Sequence, residues 1–195
     1  MTINRRTFIA AALATGLMPV RAFALTTGQA RSLVDQIVGD INSVIGSGAS
    51  ETAMIRQFEQ IFADYADVPI IARSALGNPW RSASDAQRRA YVGAFQSYMA
   101  KKYGRRFREF IGGRIEITDA KTVPNGIEVH ANALLQGQAP YNVSFVISDG
   151  SGAPKFINMF IEGISMILSE RTEIGAMLDR RRGDINGLIA DLEAF

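Results

Sequence analysis

Two hydrophobic periods divide this chain. Up to about Ile111 apolar residues recur every three or four positions, from Ile115 to Ile161 they recur every second, and from Ser165 the longer spacing returns. The first helical stretch runs from Thr27 to about Ile45, with Leu33, Ile37, Ile41 and Val44 on one side, Thr27 as N-cap and Gly46-Ser47-Gly48 as its stop. A second, about Ser50 to Tyr65, carries Met54, Phe58, Ile61 and Phe62. Asp67-Val68-Pro69 opens a third, with Pro69 in the first turn, where its missing N–H costs nothing. It ends near Leu76-Gly77. Ser84-x-x-Gln87 forms a capping box for the longest helix, about Asp85 to Ile111, whose stripe is Tyr91, Phe95, Tyr98, Met99, Tyr103, Phe107 and Phe110. A stripe of this kind suits a core, and its large rings equally suit a wall for an apolar ligand.

Beyond Gly112-Gly113 the alternation predicts four strands. Ile115 and Ile117 begin the first, which ends before Pro124-Asn125-Gly126. Ile127, Val129, Ala131 and Ala133 alternate with Glu128, His130 and Asn132 in the second, and Tyr141, Val143, Phe145 and Ile147 form one side of the third. The fourth, Lys155 to Glu162, has alternate faces Phe156/Asn158/Phe160/Glu162 and Ile157/Met159/Ile161. Neither face suits water along its whole length, so this strand is buried on both sides or walls a cavity. Tight turns between consecutive strands imply an antiparallel meander covered on one face by helices. Two helices close the chain, one from Ser165 with Met166, Leu168, Ile174, Met177 and Leu178 apolar, the other about Ile185 to Leu192. The expected class is α+β: a four-stranded antiparallel curved sheet against N- and C-terminal helices.

Composition changes the picture mainly at the N-terminus. Asn4-Arg5-Arg6-Thr7-Phe8 precedes an apolar run to Met18, and Ala22-Phe23-Ala24 supplies a small-x-small cleavage pattern. The run is about half a membrane span, which marks residues 1–24 as a removed signal peptide and 25–195 as a single domain. Arg5-Arg6-x-Phe8 resembles a twin-arginine export signal, and an ordinary secretory n-region fits as well. Leu25 follows the cut, so a lipoprotein is not expected. Arg5, Arg6 and Arg21 leave with the signal, so 21 basic residues become 21 − 3 = 18 against 19 acidic ones, and the net charge moves from +2 to near −1. Nucleic-acid binding loses its electrostatic support.

Little supports catalysis. There are no cysteines and one histidine, His130, on the polar side of the second strand. No acid or histidine spacing matches a metal site or a nucleophile–base–carboxylate triad, and Gly150-Ser151-Gly152 lacks the lysine and helix of a phosphate loop. Lys101, Arg105 and Arg108, with Lys102 and Arg106 beside them, form a basic stripe suited to lipid phosphates, an acidic partner or water. Arg180-Arg181-Arg182 complements a helix C-terminus.

At Leu76-Gly77-x-x-Trp80-x-x-Ala83-Ser84-x-x-Gln87-Arg88, continuing through Phe95 and Tyr103, the sequence resembles the MlaC (toluene-tolerance) family of Gram-negative ABC lipid-transport systems. The similarity resumes at Ile161-Glu162-Gly163-Ile164-Ser165-Met166 and Arg171, and at Gly187-Leu188-Ile189-Ala190-Asp191-Leu192. It departs at Ala153-Pro154-Lys155-Phe156-Ile157-Asn158, where the family carries tryptophan and aspartate, and at Glu170, commonly tyrosine. The resemblance implies an NTF2-like fold and a monomeric periplasmic carrier, with no cofactor or metal, holding phospholipid acyl chains. It also implies exchange with an inner-membrane MCE-domain ABC transporter complex and an outer-membrane lipoprotein complex. The expected chain-facing residues are Tyr103, Phe107, Val129, Ala131, Val143, Phe145, Met159 and Ile161. Hiding two chains of about sixteen carbons, on the order of 25 kcal/mol of apolar exposure, calls for a cavity on the order of 1000 Å³.

Three alternatives stay open: a hopanoid-associated carrier of the same family, a small NTF2-like isomerase or hydratase with Asp149 or Glu162 as base, and a ligand-free protein docking through Lys101, Arg105 and Arg108. N-terminal sequencing of the exported protein is expected to begin at Leu25; retention of Arg5-Arg6 would contradict the signal-peptide assignment.

Overall fold

In the computed structural model, residues 25–105, 113–135 and 137–195 are described. Four α-helices lead: α1 (Thr27–Gly46), α2 (Glu51–Tyr65), α3 (Val68–Leu76) and α4 (Asp85–Gly104), with a 3₁₀ turn at Asn78–Arg81 between the last two. The strands β1 (Arg114–Val123), β2 (Gly126–Leu134), β3 (Tyr141–Ser148), β4 (Lys155–Ile161) and β5 (Ile164–Ser165) follow, then α5 (Met166–Arg180) and α6 (Ile185–Ala194). The α+β class holds, with five strands rather than four. Glu162 and Gly163 take positive φ values of 50° and 76°, and this turn lets Ile164-Ser165 pair back on β4. Residues 1–24, the expected signal, lie outside the described residues, as do Phe107, Phe110, Arg106 and Arg108.

Helix starts follow the cap chemistry with one shift of register. Thr26, not Thr27, caps α1, because its side chain accepts from the Gln29 N–H while Gln29 returns a bond to the cap backbone. Ser50, Asp67 and Ser84 cap α2, α3 and α4, and Ser84 and Gln87 form the reciprocal box. Ser165 caps α5 and Asp184 caps α6.

The sheet is an antiparallel meander in the order β1-β2-β3-β4-β5. Cross-strand pairs put Ala120, Val129, Phe145 and Met159 in one row, and Ile117, Ala131, Val143 and Ile161 in the next. These rows form the inner face, covered by helices; Ser144, Val146, Asn158 and Phe160 face the other way. One irregularity overturns the simple alternation of β4. Val146 pairs with Asn158 but Ile147 pairs with Phe156, so Ile157 is an inserted residue. Phe156 therefore joins Met159 and Ile161 on the inner face, and Asp67 fixes it by donating its N–H to the Phe156 carbonyl at 2.8 Å. A second bulge lies between Ile117 and Asp119 of β1.

The core runs along α4, where Tyr91, Phe95 and Tyr98 are fully buried. It continues through Val34 of α1, Ile71 of α3, Ile174 of α5 and Leu188 of α6 onto Val129 and Ile147. Helix α2 contributes only Phe58 as a fully enclosed side chain, so it is the least buried of the covering helices. It can approach α4 closely because Gly104 has no side chain: a Cβ there would lie 3.3 Å from Ile55 Cγ1 and 3.5 Å from Phe58 Cδ2.

Gly126, in the β1–β2 turn, has φ 144° and sits against the Ile147 carbonyl, with a Cβ placed 2.0 Å from that oxygen. Gly126→Ala is expected to destabilise the fold by about 3 kcal/mol in chemical denaturation, since strain and clash act together. An unchanged denaturation midpoint would contradict this turn geometry.

Candidate functional site

Between the inner sheet face and the helices lies a cavity of about 120 Å³. Helix α1 supplies Ile37 and Ile41, α2 supplies Phe58, Ile61, Phe62 and Tyr65, and α4 supplies Met99, Ala100, Tyr103 and Gly104. The strands add Phe145, Phe156 and Met159, with Ala66 and Met166 completing the wall. Among the described residues no charged side chain lines it. Phe62 meets Phe156 edge-on at 6.4 Å, and Phe145 meets Phe156 the same way at 6.2 Å. Such a surface can be matched only by close packing or by an apolar ligand.

The volume is well below the 1000 Å³ order expected from chain length. Empty apolar space costs roughly 24 cal/mol per Å³, so about 3 kcal/mol at the observed size and on the order of 20 kcal/mol at the larger one. The walls therefore sit close together.

Beside the cavity, α4 and α5 are joined by a buried polar cluster. Glu170 is wholly buried, and its Oε1 accepts from Lys102 Nζ at 2.8 Å and from the Tyr103 hydroxyl at 2.7 Å. Lys102 also reaches Glu173 at 2.5 Å, which accepts from the Tyr98 hydroxyl at 2.8 Å. The ammonium lies 5.4 Å from the Tyr98 ring centre and 5.7 Å from that of Tyr103. Burial, reinforced by the Glu170 charge, raises the Tyr91 and Tyr98 phenol pKa values, so both stay protonated. Two buried atoms in this region have no partner among the described residues: Glu170 Oε2 and the Tyr91 hydroxyl.

Of the residues expected to face a chain, the structure brings Tyr103, Phe145 and Met159 together on the cavity wall. Val129, Ala131 and Val143 lie on the same sheet face but are buried away from that wall. Ile161, paired with Val143 at the end of β4, is 36% exposed, and Phe107 lies outside the described residues. Sequence reasoning missed the whole α1–α2 side and Met99 and Ala100. The signal for these was present as amphipathic spacing, which marks a buried face without saying what that face covers.

The alternative sites do not converge on the cavity. Asp149 is exposed and accepts from the Leu25 N–H at 3.0 Å; Glu162 is exposed and accepts from the Asn142 N–H. His130 is half-buried: Nε2 lies 3.6 Å from Glu128, which also accepts from Ser144 at 2.7 Å and faces Lys121. Lys101 donates to the Glu193 carbonyl at 3.3 Å and Arg105 stacks on Phe195 at 5.4 Å. Among the described residues no group of three or more acids and histidines could hold a metal, and no helix is long and apolar enough to cross a membrane.

A family model described as MlaC protein matches residues 31–194. The chain belongs to the MlaC family. Among solved structures it is similar to a phospholipid-binding protein from Ralstonia solanacearum, determined in complex with a phospholipid. The two share 16% sequence identity and a TM-score of 0.73, covering 85% of this chain and 95% of the other. At that identity the likeness shows the fold. This MlaC fold places its cavity between sheet and helices, with Glu170 next to it through the Tyr103 hydroxyl.

The cluster makes a prediction about acid. Burial raises the Glu173 pKa, but hydrogen bonds from Lys102 and Tyr98 outweigh it and the net shift is downward from 4.5. Its contribution is thus present above about pH 4.5 and lost as the pH falls through the folded value. Thermal unfolding at falling pH is expected to show this loss, and Lys102→Met should reduce it. Equal acid sensitivity in the two proteins would contradict the pairing.

Proposed function

We propose that this chain is a periplasmic lipid carrier, not an enzyme, that holds the acyl chains of a phospholipid between its sheet and its helices. The observation that carries the reading is the cavity itself: among the described residues fifteen line it with no charge among them, in a fold shared with a phospholipid-binding protein. Cargo chemistry follows from the lining. Each buried methylene contributes about 0.8 kcal/mol, so chains supply the affinity and the headgroup needs little contact. Because the walls stand close, entry of the chains requires them to part, and α2, with its single enclosed side chain, is the wall that moves most easily.

The wider role follows the family resemblance and the export signal: transfer between an inner-membrane MCE-domain ABC transporter complex and an outer-membrane lipoprotein complex, by a monomer needing no cofactor. The exposed positions of Asp149 and Glu162 disfavour an isomerase or hydratase, which needs a carboxylate in the pocket. Glu170 is buried nearby but is neutralised by Lys102 and does not line the cavity.

Solvent extraction of the purified protein followed by mass spectrometry is expected to release a phospholipid; a hopanoid would place the chain in the other branch. Ala100→Phe fills part of the cavity without removing an existing contact and is expected to lower phospholipid uptake from vesicles at least about tenfold while the fold survives. No lipid in the extract and no uptake from vesicles would overturn the carrier reading.

A further inference from the structure

Glu170 does work that fold stability does not account for. It sits on the buried stripe of α5 with Met166, Ile174 and Met177, where an apolar residue would satisfy the packing. Instead a carboxylate is enclosed there with one oxygen unpartnered among the described residues, an arrangement that costs stability even when a lysine balances the charge. What its other oxygen does is specific. It takes the hydroxyl of Tyr103, the one tyrosine of α4 that lines the cavity, while Lys102 binds the same oxygen and lies over the Tyr103 ring. The ring is thereby held by a charged acceptor behind it and a cation beside it.

We infer that Glu170 is a positioning residue for cargo selection: by holding the Tyr103 hydroxyl it fixes that ring as a cavity wall, so wide cargo has to break this bond to enter. The inference rests on the carrier reading. A narrow load, one acyl chain, fits with less displacement of the walls; a second chain needs the space the ring occupies. The tether therefore acts as a penalty on two-chain lipids relative to one-chain lipids with the same headgroup. Its size is that of one hydrogen bond to a charged group traded against water, which corresponds to about tenfold or more in relative affinity. Lys102 makes the arrangement possible, since without it the buried carboxylate would have no counter-charge.

The test is competition between phosphatidylglycerol and lysophosphatidylglycerol, both presented in mixed detergent micelles and read by native mass spectrometry, with melting temperature measured in parallel. Tyr103→Phe keeps the ring and removes the tether, and Glu170→Leu removes the acceptor; both are expected to shift the two-chain to one-chain ratio upward about tenfold or more. Glu170→Gln keeps an acceptor for the hydroxyl and is expected to restore the wild-type ratio, whatever it does to the melting temperature. A wild-type ratio in folded Tyr103→Phe would overturn the inference, as would ratios that follow melting temperature across the variants. Failure of the wild-type protein to bind either lipid would overturn the carrier reading and this inference with it, a result distinct from an unchanged ratio.

Discussion

An apolar surface inside a protein has two ways to be satisfied, contact with other apolar groups or occupation by an apolar guest, and this fold is arranged around that choice. The inner face of the sheet is apolar along its cross-strand rows, from Ile117 and Ala120 to Met159 and Ile161. Part of it is closed by α1, which packs against β1 and β2. The remainder, around Phe145, Phe156 and Met159, faces α2 and the end of α4 across the cavity. An empty space is expensive in proportion to its volume, so the walls draw in; chains recover far more by burial than parting the walls costs.

The differing firmness of those walls follows from their chemistry. Between α4 and α5 the Lys102, Glu170 and Glu173 charges and the Tyr98 and Tyr103 hydroxyls make a directional, partly buried network that fixes one arrangement. Between α2 and α4 the contact is chiefly apolar and close at Gly104, with a side-chain bond from Ser97 to Glu59 at 2.5 Å. Apolar contacts of this kind are non-directional and can be exchanged for acyl chains, whereas opening the charged network gives up directional bonds to a buried carboxylate. The cavity has one firm side and one yielding side.

The sheet and helices were legible in the chain because each period is strong and most caps are chemically explicit. The failures are local. Ile157 is indistinguishable by type from its neighbours, so the inserted residue that turns Phe156 inward leaves no trace in a pattern of large apolar residues. Thr26 and Thr27 are equivalent caps by composition, and the Gln29 side chain decides between them. Alternation grouped Val129, Ala131, Val143, Phe145 and Met159, which share the inner sheet face, but position along the strand decides whether such a residue meets a helix or the cavity. Glu170 was readable: an acid four residues from both Met166 and Ile174 on a buried stripe needs a cation from elsewhere, and Lys102 lies on the aromatic helix that must cover it.

The central claim is that acyl chains occupy the space bounded by α2, the end of α4 and the inner sheet face. Photo-crosslinking with a phospholipid bearing a diazirine at the end of an acyl chain, followed by peptide mapping, addresses this position directly. The account predicts adducts on cavity residues such as Phe62, Met99, Tyr103 and Met159. Adducts confined to the opposite sheet face, at Val146 and Phe160, would contradict it.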